Sequence, residues 1–168
     1  VEAGADEYVL PPLWNTGSQK ITWDLNLPTN IADGWSWGSN YRFIGQCLLF
    51  LQQLPHARGV TDEQKRAWAA EANFLLAYYH MVTLVAYGPC PITDTYIDQA
   101  TPESEYNGRM HFDYVKDWIC QKFDEVCEDG QLPATRTGDE WGRATSVMAK
   151  ALKARLLVYA ASPLFNGS

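Results

Sequence analysis

The stretch Gly142-Arg143-Ala144-Thr145-Ser146-Val147-Met148-Ala149-Lys150-Ala151-Leu152-Lys153-Ala154-Arg155-Leu156-Leu157-Val158-Tyr159-Ala160-Ala161-Ser162-Pro163-Leu164-Phe165-Asn166-Gly167 has neither Gly nor Pro between Thr145 and Ala161. Ala, Leu, Met, Lys and Arg dominate that interval, all strong helix formers. Thr145 is an N-cap candidate, because its hydroxyl can accept a free first-turn N–H. Ser162-Pro163 ends the helix, since proline disfavours the α conformation in the residue before it. Met148, Leu152, Leu156 and Tyr159 step by four, four and three, which predicts one apolar stripe. Ala149, Ala151, Ala154 and Ala160 leave the remaining surface flat enough for a second helix to approach. Such a helix belongs in a stack of helices.

Working outward, three more helices are predicted. Phe43, Ile44, Cys47, Leu48, Leu51 and Leu54 follow a three-to-four rhythm that starts near Ser39 or Asn40 and stops at Pro55. Thr61-Asp62-Glu63-Gln64 forms a capping box ahead of a long run closed by Gly88 and Pro89-Cys90-Pro91. In that run Trp68, Ala72, Leu75, Tyr79, Val82 and Ala86 make one stripe. Ala70, Phe74, Ala77, Met81 and Leu84 make another, so burial on two faces is expected. A third helix spans roughly 111–128, with Phe112, Val115, Ile119, Phe123 and Val126 on one side. Residues 88–110 and 129–142 read as loops, and 1–38 as an irregular, Trp-rich segment. The fold class is therefore all-α: antiparallel helix pairs in a tetratricopeptide (TPR)-like stack over 39–168, with long irregular loops and no regular repeat period.

Composition bounds the function. The 168 residues are 46% hydrophobic and 20% charged, which describes a folded domain. A formal charge of −7 argues against nucleic acid, whose phosphates require a basic face. Cys120 and Cys127 sit roughly 10 Å apart along a helix axis, beyond disulfide reach. Cys47 lies in an apolar run and Cys90 in a Pro-rich turn, so buried free thiols are expected. No metal-ligand spacing, phosphate loop or nucleophile motif is present in the sequence, and the three His are scattered. Carboxylate pairs such as Asp94/Asp98 arise by chance among 20 acidic residues, so the reading is a non-enzyme that needs no cofactor. Sugars offer C–H faces that stack on indoles and hydroxyls that bond to amides and guanidinium groups. Trp35, Trp37, Asn40 and Arg42 supply both chemistries within eight residues and are the candidate ligand-binding set. The competing reading, which sequence alone favours, is that these indoles plug the irregular segment onto the helices. Trp68 and Trp118 sit at helical core positions; Trp14, Trp23 and Trp141 lie in predicted loops.

Three segments resemble the SusD/RagB family. They are Glu71-Ala72 through Ala77-Tyr78-Tyr79 with the exit Tyr87-Gly88-Pro89-Cys90-Pro91-Ile92; the helix ending in Gln131-Leu132-Pro133; and, most specifically, Arg143-Ala144-Thr145 through Asn166. The resemblance covers roughly residues 35–167. It implies non-catalytic capture of oligosaccharide at a bacterial outer-membrane surface and delivery to a SusC-like TonB-dependent transporter. It also implies a lipid anchor in the full-length form. A TPR-like protein-binding scaffold without its own glycan site is the alternative. Family members are considerably longer, so this chain is expected to be a single domain, the N-terminal portion of such a protein. The family has no fixed ligand motif, and Trp35, Trp37, Asn40 and Arg42 come from their own chemistry.

Overall fold

The computed structural model describes residues 36–98, 100–128 and 131–166. They form α1 (Trp37–Gln53), α2 (Asp62–Tyr87), α3 (Phe112–Glu125), α4 (Ser146–Ala160) and a short α5 (Pro163–Asn166), with 3-10 turns at Leu54–His56, Glu103–Glu105 and Gly138–Glu140 and no strand among the described residues. The fold is all-α and TPR-like. α1 and α2 run antiparallel: Trp37 at the start of α1 meets Tyr87 at the end of α2, and Phe43 stacks on Tyr79 at 4.9 Å. α3 and α4 make the second antiparallel pair, with Lys153 bonded to Asp124 at one end and Phe165 stacked on Phe112 at the other.

The ends of these helices follow from local chemistry. Thr61 and Gln64 form the reciprocal capping box at the start of α2, at 3.0 and 3.1 Å. Gly88 ends it at φ 71°, a conformation that costs glycine little. The Thr145 hydroxyl accepts the Met148 N–H at 3.2 Å, as expected. Thr61→Ala removes an exposed cap and is expected to cost about 1 kcal/mol, read as a shift of the urea midpoint with an unchanged slope.

One boundary differs from the sequence reading. α1 begins at Trp37, not Ser39 or Asn40, because the Ser36 hydroxyl accepts the Ser39 N–H at 3.2 Å and caps the helix there. Trp37 and Gly38 therefore belong to a helix and not to the irregular segment. Its N–H, one of the first-turn groups with no partner inside a helix, donates to the Tyr87 hydroxyl at 2.8 Å.

α2 is buried on two faces, but not along both predicted stripes. Ala70, Phe74, Ala77, Met81 and Leu84 enter the main core with Val115, Ile119 and Phe123 of α3 and Ala149 and Leu156 of α4. The second face is centred on Leu76, packed with Ile44, Cys47 and Leu48 of α1, while Leu75 of the other stripe stays exposed. Each fully buried Leu, Ile or Phe contributes about 1.5–3 kcal/mol from water exclusion. The predicted α3 stripe is buried throughout. On α4 only Ala149 and Leu156 are fully buried; Met148 is exposed, and Val147, Leu157 and Val158 face outward, so the described residues cover one side of this helix, not two. Pro163 stops α4 and starts α5, which carries Phe165 into a ring cluster with Phe112 and Tyr159 at 3.9 and 5.1 Å. All four cysteines are free.

Candidate functional site

The loop from Gly88 to Met110 is strapped to the helices by a short set of directional bonds. The Tyr41 hydroxyl donates to the Pro91 carbonyl at 2.7 Å. Burial first, and the neighbouring Cys90 thiol second, push that phenol far above its ordinary pKa, so it stays a donor. Arg109 donates to the Pro89 carbonyl at 2.9 Å, and the Asn107 amide donates to the Ile92 carbonyl at 2.8 Å. Cys90 itself is inaccessible, and burial raises its pKa to about 11, so it is a packed thiol and no nucleophile.

The deepest strap is His80 on α2, which has no exposed surface. Its Nε2 accepts the Thr93 N–H at 3.2 Å, which fixes the proton on Nδ1, where it donates to the Leu76 carbonyl at 2.8 Å. The ring rests against Trp118 at 4.8 Å. Burial lowers its pKa to about 4 against the opposing pull of the Leu76 carbonyl and Asp94.

Between this strapped loop and α1 lies a groove of about 340 Å³, walled by Trp37 and Tyr41 on the helix and by Thr93, Ile97, Tyr106 and Asn107 on the loop. The helix side exists because Trp37, Tyr41, Ile44, Gly45 and Leu48 recur at three-to-four spacing along one face of α1. Gly45 leaves room: a methyl group there would meet no atom within 4 Å. Tyr106 is 45% exposed, a ring presented at the rim. The groove combines ring faces, a hydroxyl and an amide, the composition that binds a sugar ring by stacking and by directional bonds.

The sequence-predicted candidates separate in space. Trp35 lies outside the described residues. Trp37 lines the groove, with the Arg109 guanidinium 4.6 Å over its ring and Tyr41 and Tyr87 at 5.0 and 5.3 Å. Asn40 is 1% exposed, and its amide nitrogen finds no partner among the described residues. Arg42 is exposed and sits over Phe43 at 5.2 Å. Phe43 lines a separate cavity, of about 370 Å³, with Phe50, Trp68 and Tyr79. Helical spacing explains the split: five residues on from Trp37 is about 140° around the axis. Tyr106 and Asn107 were not singled out from sequence; the available signal was an aromatic–amide pair inside a proline-bounded loop.

No family model and no curated protein sequence matches the chain. Solved structures do. One designated BT4246 is 54% identical, with a TM-score of 0.82, covering 95% of this chain and 27% of its own length. A SusD-like protein from Bacteroides fragilis is 24% identical with a TM-score of 0.70, covering 83% of this chain and 26% of its own. The chain has the fold of SusD-like proteins. A surface glycan-binding protein A from Bacteroides thetaiotaomicron, solved with laminarihexaose, has a TM-score of 0.67 at 23% identity, covering 86% of this chain and 29% of that one. The neighbours described by role are surface glycan-binding or laminarin-binding proteins. The chain spans about a quarter of the length of these matched structures.

Two of the sequence segments that carried the resemblance meet in the SusD-like fold. Glu71 on α2 accepts from Arg143 Nη2 and Nε at 2.7 and 3.1 Å, a two-pronged pair, and from Arg136 Nη2 at 2.6 Å. Glu140 closes the ring with bonds to both arginines at 2.7 and 3.0 Å. Arg143 therefore holds the 131–145 loop to α2 and is not among the residues that line the groove.

Proposed function

We propose that this chain is the N-terminal, helical portion of a non-catalytic protein that binds oligosaccharide at the bacterial cell surface, with the α1–loop groove contributing to its glycan site. The observation that carries this reading is the groove itself: Trp37, Tyr41 and Tyr106 line it together with the Thr93 hydroxyl and the Asn107 amide, in a space of about 340 Å³. Its setting in a fold shared with a glycan-binding protein solved with laminarihexaose supports the same reading. Of the four residues proposed from sequence, this reading uses Trp37, which lines the groove; Trp35, Asn40 and Arg42 stay candidates outside it. The resemblance further supports a lipid anchor in the outer membrane and delivery of the captured glycan to a SusC-like TonB-dependent transporter.

A scaffold without a sugar site is favoured by one feature, the uncovered apolar face of α4, where Val158 is 75% exposed. The two readings separate in a single experiment. Gly45→Met fills the groove from a helix position with open space and replaces a poor helix former by a good one, worth about 1 kcal/mol of added stability. Titration calorimetry against a panel of polysaccharides is expected to show binding by the protein and its loss in Gly45→Met, with the melting temperature held or raised. Tyr106→Ala, at an exposed ring, is expected to weaken binding at least about tenfold, the share of a stacked ring worth 1.4 kcal/mol, and to leave folding unchanged. Undiminished binding in both variants removes the groove from the function. Co-purification with a transporter and no glycan affinity favours the scaffold.

A further inference from the structure

We infer that the groove selects neutral glycans and rejects anionic ones, an inference that rests on the glycan-binding reading of the same site. Its described walls are aromatic, aliphatic, hydroxyl or amide groups; none carries a charge at neutral pH. A uronate or sulfate seated there would surrender its hydration with no cation to replace it, a cost of several kcal/mol in poorly solvated surroundings. The loop that forms the outer wall adds repulsion. From Thr93 to Asn107 the sequence holds Asp94, Asp98, Glu103 and Glu105 and no Lys, Arg or His. All four carboxylates are exposed, so they act through solvent on whatever approaches the mouth, over about 8–10 Å at physiological ionic strength.

Arg109 stands against one wall, 4.6 Å over the Trp37 ring, and its Nη1 donates to the Pro89 and Tyr87 carbonyls at 2.9 and 3.4 Å, which holds that end of the guanidinium on the backbone. An anion gripped through Nη1 would break these bonds. The net charge of −7 works in the same direction at longer range. Neutral hexose chains face neither obstacle, because ring stacking and hydroxyl bonds need no counter-charge.

The test compares neutral polysaccharides (laminarin, dextran, galactomannan) with anionic ones (alginate, polygalacturonate, chondroitin sulfate) by affinity electrophoresis and calorimetry. The protein is expected to bind at least one neutral polymer and none of the anionic ones, in low salt and in high. The triple variant Asp94→Lys/Glu103→Lys/Glu105→Lys is expected to keep neutral affinity within about threefold and to gain salt-sensitive retardation by the anionic polymers. Tighter binding of an anionic than of a neutral polymer, abolished by Gly45→Met, overturns the inference while glycan binding at the groove stands. A triple variant that gains no anionic binding overturns the role of the acidic rim. Failure to bind any polymer of either kind removes the glycan reading and this inference together.

Discussion

Glu71→Ala lowers the unfolding free energy by about 3 kcal/mol, the cost of breaking a largely buried ion pair from one side. Glu71 is 18% exposed and Arg136 only 9%, so the surviving guanidinium groups cannot recover full hydration. Arg143 is more open and loses less. The carboxylate is the hub of the cluster: its Oε1 accepts one bond from each arginine and its Oε2 accepts a third. Without it, Arg136 and Arg143 face one another with Glu140 alone between them, and the loop from Leu132 to Thr145 loses its attachment to α2. Urea unfolding is the measurement, and a melting temperature lower by roughly 10 °C is the thermal counterpart for a domain of this size. Arg143→Lys is the companion variant. A lysine gives one point charge where the guanidinium gives Nε and Nη2 to one carboxylate, so it is expected to recover only part of the wild-type stability. Adding Arg136→Met to Glu71→Ala should return part of the loss, because an unpaired buried cation is replaced by an apolar chain. A Glu71→Ala cost under 1 kcal/mol would mean the cluster behaves like an ordinary surface pair.

The same cluster shows why some of the molecule was legible in the sequence and some was not. Thr61, Gly88 and Thr145 fix helix ends through bonds to residues within four positions, and Pro163 ends one by restricting the residue before it, so the sequence holds both partners side by side. Ser36 belongs to that class too, but its cap was hidden among Trp, Gly and Pro that read as irregular. The α3 stripe was readable because large apolar residues and the buried face coincide. On α4 they coincide in part: Leu152, Leu156 and Tyr159 of the predicted stripe pack into the core beside Ala149, whereas Met148, Val147 and Val158 point outward. The pairings of Glu71 with Arg136 and Arg143 span 65 and 72 residues, and no local pattern encodes them. The groove is non-local in the same way. Trp37 could be named from its chemistry; its opposite wall, Tyr106 and Asn107, reaches it only because Tyr41, His80 and Asn107 tie the loop down. Arg42 does not line the groove with Trp37, since a helix starting after Ser36 sets it about 140° around the axis.

His80 leads to the second large effect, a loss of about 3 kcal/mol of stability as the pH falls from 6.5 to 4. The sign follows from which state holds the proton. In the unfolded chain the imidazole titrates near 6.5; in the fold burial lowers it to about 4. Above 6.5 both states are neutral and the stability contribution is complete. Between 6.5 and 4 the unfolded chain binds a proton that the folded chain refuses, so stability declines with the pH. Below about 4 both states are protonated and this contribution is exhausted; a shift of 2.5 pKa units at 1.36 kcal/mol each sets the size. The structural reason goes beyond lost hydration. A proton on Nε2 would point a second donor at the Thr93 N–H, so the bond that holds the groove wall becomes a repulsion. Acid unfolding followed by circular dichroism, with hydrogen exchange at Thr93, is expected to show this slope, and the Thr93 amide should lose protection ahead of the α2 core. In His80→Gln, which cannot titrate, the slope between pH 6.5 and 4.5 should flatten while neutral-pH stability falls. Glu140 acts in a lower window: its side-chain bond with Arg136 holds its pKa below the usual carboxylate range, so its contribution is present above its unfolded value and fades only as the pH drops through the folded one. A wild-type stability that is flat from pH 6.5 to 5 would show that His80 can take its proton without disturbing Thr93, and the loop would then need another anchor.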